Sequence, residues 1–186
     1  MSGKRFRILV WWIEAWSDST TAQPMVRCFL SKEAAVRVAI GLDHAGFHIR
    51  DLVLEHVVTL GHEVIDEGAD HYDAKDDFPD FAEAVADRVA SGDADRGVVV
   101  CGSGVGACIA ANKVTSIRAG TCHDTYSAHQ GVEHDDMNVL CIGSRIIGAE
   151  VVKEVISAFL SAEFIDEEKY QRRLKKVLSI EARREG

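Results

Sequence analysis

Residues 97–106 read Gly-Val-Val-Val-Cys-Gly-Ser-Gly-Val-Gly, and the fold class follows from them. Three β-branched residues in a row, closed by Cys101 and bounded by glycine, describe a short buried strand. Gly102, Gly104 and Gly106 then turn the chain straight into a helix predicted from about Gly106 to Lys113. The same alternation extends outward in both directions. Upstream, Val36–Leu42 reads as a buried strand, and Gly46–Leu60 as a helix with Ile49, Leu52, Val53 and Val57 at helical spacing, stopped by Gly61. Glu63–Asp66 is a short strand, and an acidic loop runs to Asp77. Pro79 suits the first turn of a helix that turns Phe81, Val85 and Val89 inward.

Downstream come a strand at Ile117–Cys122, a helix at Tyr126–His134, a strand at Val139–Gly143 and a helix at Ala149–Ser161. A last helix is predicted from about Glu167 to Arg183. Five strands separated by helices must pair in parallel, because each crossover returns over a sheet face. The expectation is a three-layer α/β/α, Rossmann-like domain with a five-stranded parallel sheet, spanning residues 36–186.

Composition narrows the function. The chain has 186 residues, of which 47% are hydrophobic, and a formal charge of −9. An acidic surface repels phosphate backbones, so nucleic acid is not an expected partner. The longest apolar run, Ile8–Ile13, is far short of the ~20 residues of a membrane span. Seven of the 21 Lys and Arg residues lie between Lys169 and Arg184, a concentration suited to a small anion. Five cysteines, an odd number without a CxxC pair, read as reduced thiols and point to the cytoplasm. Residues 1–35 begin with a basic and then an apolar block, in the order of an export signal. Glu14 interrupts that block, and the segment is expected to be an extension outside the catalytic fold, with Met25 a candidate start.

In parallel sheets ligands bind beyond the carboxyl ends of the strands. Those ends carry Asp43-His44-Ala45-Gly46, Cys101 with its glycine loop, Cys122-His123-Asp124 and Gly143-Ser144-Arg145. The glycine loop reads equally as an oxyanion or phosphate cradle and as a tight turn. Its G-x-G-x-G spacing, after the third strand, does not match the dinucleotide fingerprint, which argues against a nucleotide-binding oxidoreductase. Cys101, beside a helix start that favours thiolate, stands out from the core cysteines. Asp43 and His44 suit proton transfer or a sugar hydroxyl, or simply a helix cap. His123-Asp124 reads as a helix cap. His134 with Asp135 and Asp136 lacks the spacing of a metal site, and no metal is expected. In the last helix Lys169, Arg172, Arg173 and Lys176 share one face, opposite Tyr170, Leu174, Val177 and Leu178; the charged face is either solvated or a phosphate clamp.

Together these segments resemble the type B ribose-5-phosphate isomerases and the related galactose-6-phosphate isomerase subunits. The matching stretches are 41–47 (GLDHAGF), 61–66 (GHEVID), 78–82 (FPDFA), 101–106 (CGSGVG), 109–113 (IAANK), 133–136 (EHDD), 138–140 (NVL), 143–145 (GSR) and 171–173 (QRR). The resemblance implies an aldose–ketose isomerase of a sugar phosphate, most naturally ribose 5-phosphate, without cofactor. It implies that Cys101 is the base and that the backbone of Gly102, Ser103, Gly104, Val105 and Gly106 holds the enediolate oxygens, helped by the Ser103 side chain. His134 would open the sugar ring, Asp43 and His44 would bind hydroxyls, and Arg145, Lys169 and Arg173 would grip the phosphate. A homodimer or tetramer with sites shared between subunits is implied. Relatives without the cysteine use a glutamate at the position of Ala107, which agrees with a cysteine base here. Two departures bear on the choice of sugar: Asp135 stands where the family has Asn, and Lys169-Tyr170 where it has Arg-His. A four- or six-carbon substrate, or a non-catalytic sensor of sugar phosphates, are the competing readings.

Overall fold

The computed structural model describes residues 35–183. The extension expected over residues 1–35 lies, except for its last residue, outside the described residues, as do Cys28 and the final three residues. Five strands form one sheet: β1 (Arg37–Leu42), β2 (Glu63–Asp66), β3 (Arg96–Cys101), β4 (Ala119–Thr121) and β5 (Val139–Gly143). Six helices connect and follow them: α1 (Arg50–Thr59), α2 (Phe78–Ala90), α3 (Val105–Ala111), α4 (Thr125–Asp135), α5 (Ala149–Ser161) and α6 (Glu168–Ala182). The strand order is β2-β1-β3-β5-β4 and every pairing is parallel, as expected.

Alternation along the strands sorts the core into two layers. Val38, Ile40, Leu42, Val98, Val100, Leu140 and Ile142 pack with α1, α4 and α5. Ala39, Val99, Cys101, Val139 and Cys141 pack with α2 and α3 on the other face. In α5, Val152, Val155, Ile156, Phe159 and Leu160 recur at helical spacing and are all buried; each such side chain contributes about 1.5–3 kcal/mol of transfer free energy. α2 packs close against the sheet. A Cβ on Gly41 would stand 2.9 Å from the Phe81 carbonyl oxygen and from Val85 Cγ2, and one on Gly97 2.6 Å from Val85 Cγ1. Only glycine lets the helix settle at that depth.

Three segments differ from the sequence expectation. The helix expected from Gly46 begins as a single 3₁₀ turn, Phe47–Ile49, before α1. The strand expected at Ile117–Cys122 pairs with β5 only over Ala119–Thr121. β4 is an edge, and the side chain of Asn112 acts as its missing neighbour: Oδ1 accepts from Ala119 N–H and Nδ2 donates to the Ala119 carbonyl, both at 2.9 Å. In α6 only Tyr170 of the apolar face is buried, while Val177, Leu178 and Ile180 are exposed. Among the described residues no helix is long and apolar enough to cross a membrane.

Candidate active site

The helix after β1 lies on one face of the sheet and the helix after β3 on the other. Chain connections therefore part at the carboxyl ends of these neighbouring strands, which opens a crevice there. The loops after β1, β3 and β5 are tied across it. Ser144 N–H donates to the Cys101 carbonyl at 2.8 Å, Arg145 N–H to the Gly102 carbonyl at 3.2 Å, and Ser144 Oγ to the Ala45 carbonyl at 2.7 Å. The result is a cleft of about 410 Å³ walled by Asp43, His44, Phe78, Cys101, Gly102, Ser103, Gly106 and Arg145.

Cys101 ends β3 and is 5% exposed. Its Sγ accepts a hydrogen bond from Gly104 N–H at 3.2 Å. Gly104 makes this possible because its φ of +79° is left-handed, and a Cβ there would meet Thr121 Cγ2 at 2.9 Å. Ser103 is exposed, and its Oγ accepts from Val105 N–H at 3.3 Å. Gly104, which precedes α3, and Val105, its first residue, are not part of the cleft lining. On the opposite wall Asp43 is buried, and its Oδ1 accepts from Ala45 N–H at 2.9 Å and Gly46 N–H at 3.0 Å.

His44 shows a partner that sequence reasoning missed. Asp76 Oδ1 accepts from His44 N–H at 3.1 Å and lies 2.5 Å from His44 Nδ1. This hydrogen bond raises the imidazole pKa above its ordinary value, against burial and the positive charge of Arg145. Asp76 is one of several aspartates in the acidic loop before α2, and nothing in their spacing marks it. Among the described residues Asp43, His44 and Asp76 are also the set that could hold a metal ion, with one donor atom of each within 4.8 Å of the others. His44 Nδ1 is engaged by Asp76 Oδ1 and Asp43 Oδ1 by the backbone N–H groups of Ala45 and Gly46, and the positive charge of Arg145 acts on the same imidazole.

The remaining expected site residues are not in this cleft. His134 is near the end of α4, and α4 begins at the rim where Asp124 caps it by accepting from Ser127 N–H at 2.7 Å. His134 lies ten positions beyond Asp124 along α4, a rise of about 15 Å. The imidazole of His134 stacks on Tyr170, and its Nδ1 lies 2.7 Å from Gln130 Nε2. Lys169 Nζ lies 4.5 Å from the centroid of the same Tyr170 ring and the Arg173 guanidinium 5.9 Å. Lys169 also pairs with Glu167 at 2.8 Å, which raises its pKa. His134 and the two cations Lys169 and Arg173 thus form a second cluster around Tyr170. Asp135 faces a separate groove beside Asn112, Arg118 and Val177. Of the cysteines outside the cleft, Cys122 and Cys141 are buried and Cys108 is half-buried. The cap reading of Asp124 holds, and His123 Nε2 accepts from Gly143 N–H at 2.9 Å, tying β4 to β5.

Comparison with known proteins places this arrangement. A family model described as Ribose/Galactose Isomerase matches residues 38–177. Ribose-5-phosphate isomerase B of Escherichia coli is 41% identical over 148 residues, 80% of this chain and 98% of the relative. A D-erythrulose-4-phosphate isomerase of Pectobacterium atrosepticum is 39% identical over 127 residues, 68% of this chain and 84% of the relative. The solved structure of Trypanosoma cruzi type B ribose 5-phosphate isomerase superposes with a TM-score of 0.78 at 41% identity, covering 81% of this chain and 99% of that one. The chain belongs to the ribose/galactose isomerase family.

Proposed function

We propose that the chain interconverts ribose 5-phosphate and ribulose 5-phosphate, a step of the pentose phosphate pathway, with Cys101 as the base and no metal. The observation that carries this reading is the placement of the Cys101 thiol, held by Gly104 N–H at 3.2 Å and opening on a cleft that also contains His44 and Arg145. The thiolate takes the proton from carbon 2 of the open-chain aldose. The electron pair of that C–H bond becomes the enediolate, whose oxygens receive hydrogen bonds from the backbone of Gly102 to Gly106 and from Ser103. Return of the proton to carbon 1, with a hydroxyl proton exchanged between the two oxygens, gives the ketose. Asp43 and His44 orient the sugar, and Arg145 takes part in holding the phosphate.

His134, as ring-opening acid–base, and Lys169 and Arg173, as phosphate ligands, require a second copy, because none of them lines the cleft of its own chain. The exposed Val177, Leu178 and Ile180 of α6 support a homodimer, or a tetramer built from it. Residues 36–186 would form the catalytic unit, with residues 1–35 outside it. Free cysteines fit a reducing cytoplasm.

The test is isomerisation of ribose 5-phosphate in EDTA by the wild type and by Cys101→Ala. Turnover that survives chelation and drops at least ~1,000-fold in the variant is expected. Turnover that survives loss of Cys101 would sink the mechanism. A four-carbon substrate is the second reading, favoured by the D-erythrulose-4-phosphate isomerase relative and by the departures at Asp135 and Lys169-Tyr170. Greater kcat/KM with a tetrose phosphate than with ribose 5-phosphate would select it.

A further inference from the structure

We propose that Asp76 is a positioning residue of the cleft, locking the His44 ring so that Nδ1–H points into the protein and Nε2–H points outward beside Arg145 as an anion donor. The proposal rests on the reading of the cleft as a sugar-phosphate site, and within it moves His44 from a sugar hydroxyl to the phosphate. Its geometry is specific. One oxygen of Asp76 receives both the backbone N–H and the ring Nδ1 of His44, at 3.1 and 2.5 Å. That double contact fixes the side-chain torsions of His44 as well as its tautomer. No hydrogen-bond partner of Nε2 occurs among the described residues.

A carboxylate is a poor neighbour for a phosphate, so its burial matters. The Asp76 side chain is only 11% exposed, and its other oxygen, Oδ2, is buried without a hydrogen-bond partner. An orphan buried acceptor costs stability, and folds retain few of them without a compensating role. Here the negative charge is directed at one imidazole. The charged and titratable groups around His44 are Asp43 beside it in the chain, Asp76 from the loop before α2, Arg145 after β5 and Cys101 across the cleft at the end of β3. Arg145 disfavours a charged imidazole and Asp43 favours it more weakly than Asp76 does. Without Asp76, His44 would lose its proton at a lower pH, and anion binding would weaken with it.

Asp76→Asn is the test, since the amide keeps the shape and an acceptor oxygen but removes the charge. Two measurements are made between pH 6 and 9, a range above the last ionisation of a phosphate monoester at about 6. The first follows the His44 ring by NMR, assigned with His44→Gln, and does not depend on turnover. The second follows kcat and KM for ribose 5-phosphate. The expected result is that Asp76→Asn moves the His44 titration to lower pH and raises KM in the upper half of the range. The rise should be about tenfold for every full pH step by which the titration midpoint moves, with kcat within about threefold. An unchanged His44 titration would overturn the proposal. So would a lowered titration with an unchanged KM profile, or a pH-independent loss of kcat alone. If the wild type turns over no sugar phosphate, the functional reading fails. The lock is then judged by the NMR titration with sulfate, whose charge is constant over this range. Sulfate raising the His44 titration in the wild type more than in Asp76→Asn would support it, and sulfate acting equally on both would refute it.

Discussion

The imidazole of His134 lies flat against the phenol ring of Tyr170, with centroids 4.1 Å apart and planes 17° apart. Tyr170 is 7% exposed and joins α6 to α4, so the ring is a platform as well as a core residue. Aromatic pairs of this kind contribute about 0.5–1.5 kcal/mol beyond burial. Tyr170→Phe should therefore keep kcat for ribose 5-phosphate within about twofold. Tyr170→Leu keeps the burial but not the flat face, and should lower kcat by up to about tenfold. Equal activity of the two variants in a steady-state assay would show that stacking does not orient His134.

Gly104 binds the Cys101 sulfur through a backbone conformation that other residues resist. With φ at +79° and the Ile142 carbonyl carbon 3.1 Å from a would-be Cβ, Gly104→Ala should destabilise the fold by about 1–3 kcal/mol. It should also move the N–H off the sulfur and reduce kcat by about an order of magnitude. Denaturant unfolding and kinetics on the same sample check both parts.

Asn112 completes an edge strand by side chain alone, through paired hydrogen bonds to Ala119 and a third to the Cys108 carbonyl at 2.9 Å. Asn112→Ala should cost about 1 kcal/mol at this solvent-facing position. Faster hydrogen exchange confined to β4 would accompany it. Uniform exchange through the sheet would count against a local role.

His56 gives a pH dependence of stability with a definite sign. Burial pushes its imidazole pKa below the ordinary 6.5, and Nε2 sits 2.9 Å from Ser157 Oγ and 3.0 Å from the Lys153 carbonyl. As pH falls through 6.5 the unfolded chain takes up the proton first, so this contribution is present above that pH and is lost below it. Stability of the wild type should therefore fall more steeply from pH 7 to 5 than that of His56→Gln. Parallel curves from denaturant titrations would remove His56 from the account.

Strands were legible in the sequence because period and β-branching are local properties: β1, β2, β3 and β5 lie within a residue of their expected bounds. β4 was overestimated because its length depends on how far β5 runs alongside it, and on Ser116, whose φ of 69° turns the chain away before Ile117. The cleft was legible for the same reason as the strands, since Asp43, His44, Cys101, Gly102, Ser103, Gly106 and Arg145 all follow strand ends. Asp76 was not, since only the folded loop distinguishes it from Asp70, Asp73 or Asp77. Lys169 and Arg173 stood out as part of a charged helix face and the role of His134 came from a resemblance alone; the single chain gathers all three around Tyr170 rather than around Cys101.

α2 rests on bare backbone at Gly41 and Gly97, and its first residue, Phe78, walls the cleft with its ring so near the loop that a Cβ on Gly106 would stand 2.8 Å from Cζ. The helix therefore works as a rigid beam. Its seat is on the sheet interior, and its tip forms part of the cleft wall. A methyl group added at either strand glycine would press on Val85 and shift the beam, so a change in the sheet interior would reach the cleft wall at Phe78 without touching any other residue of the lining.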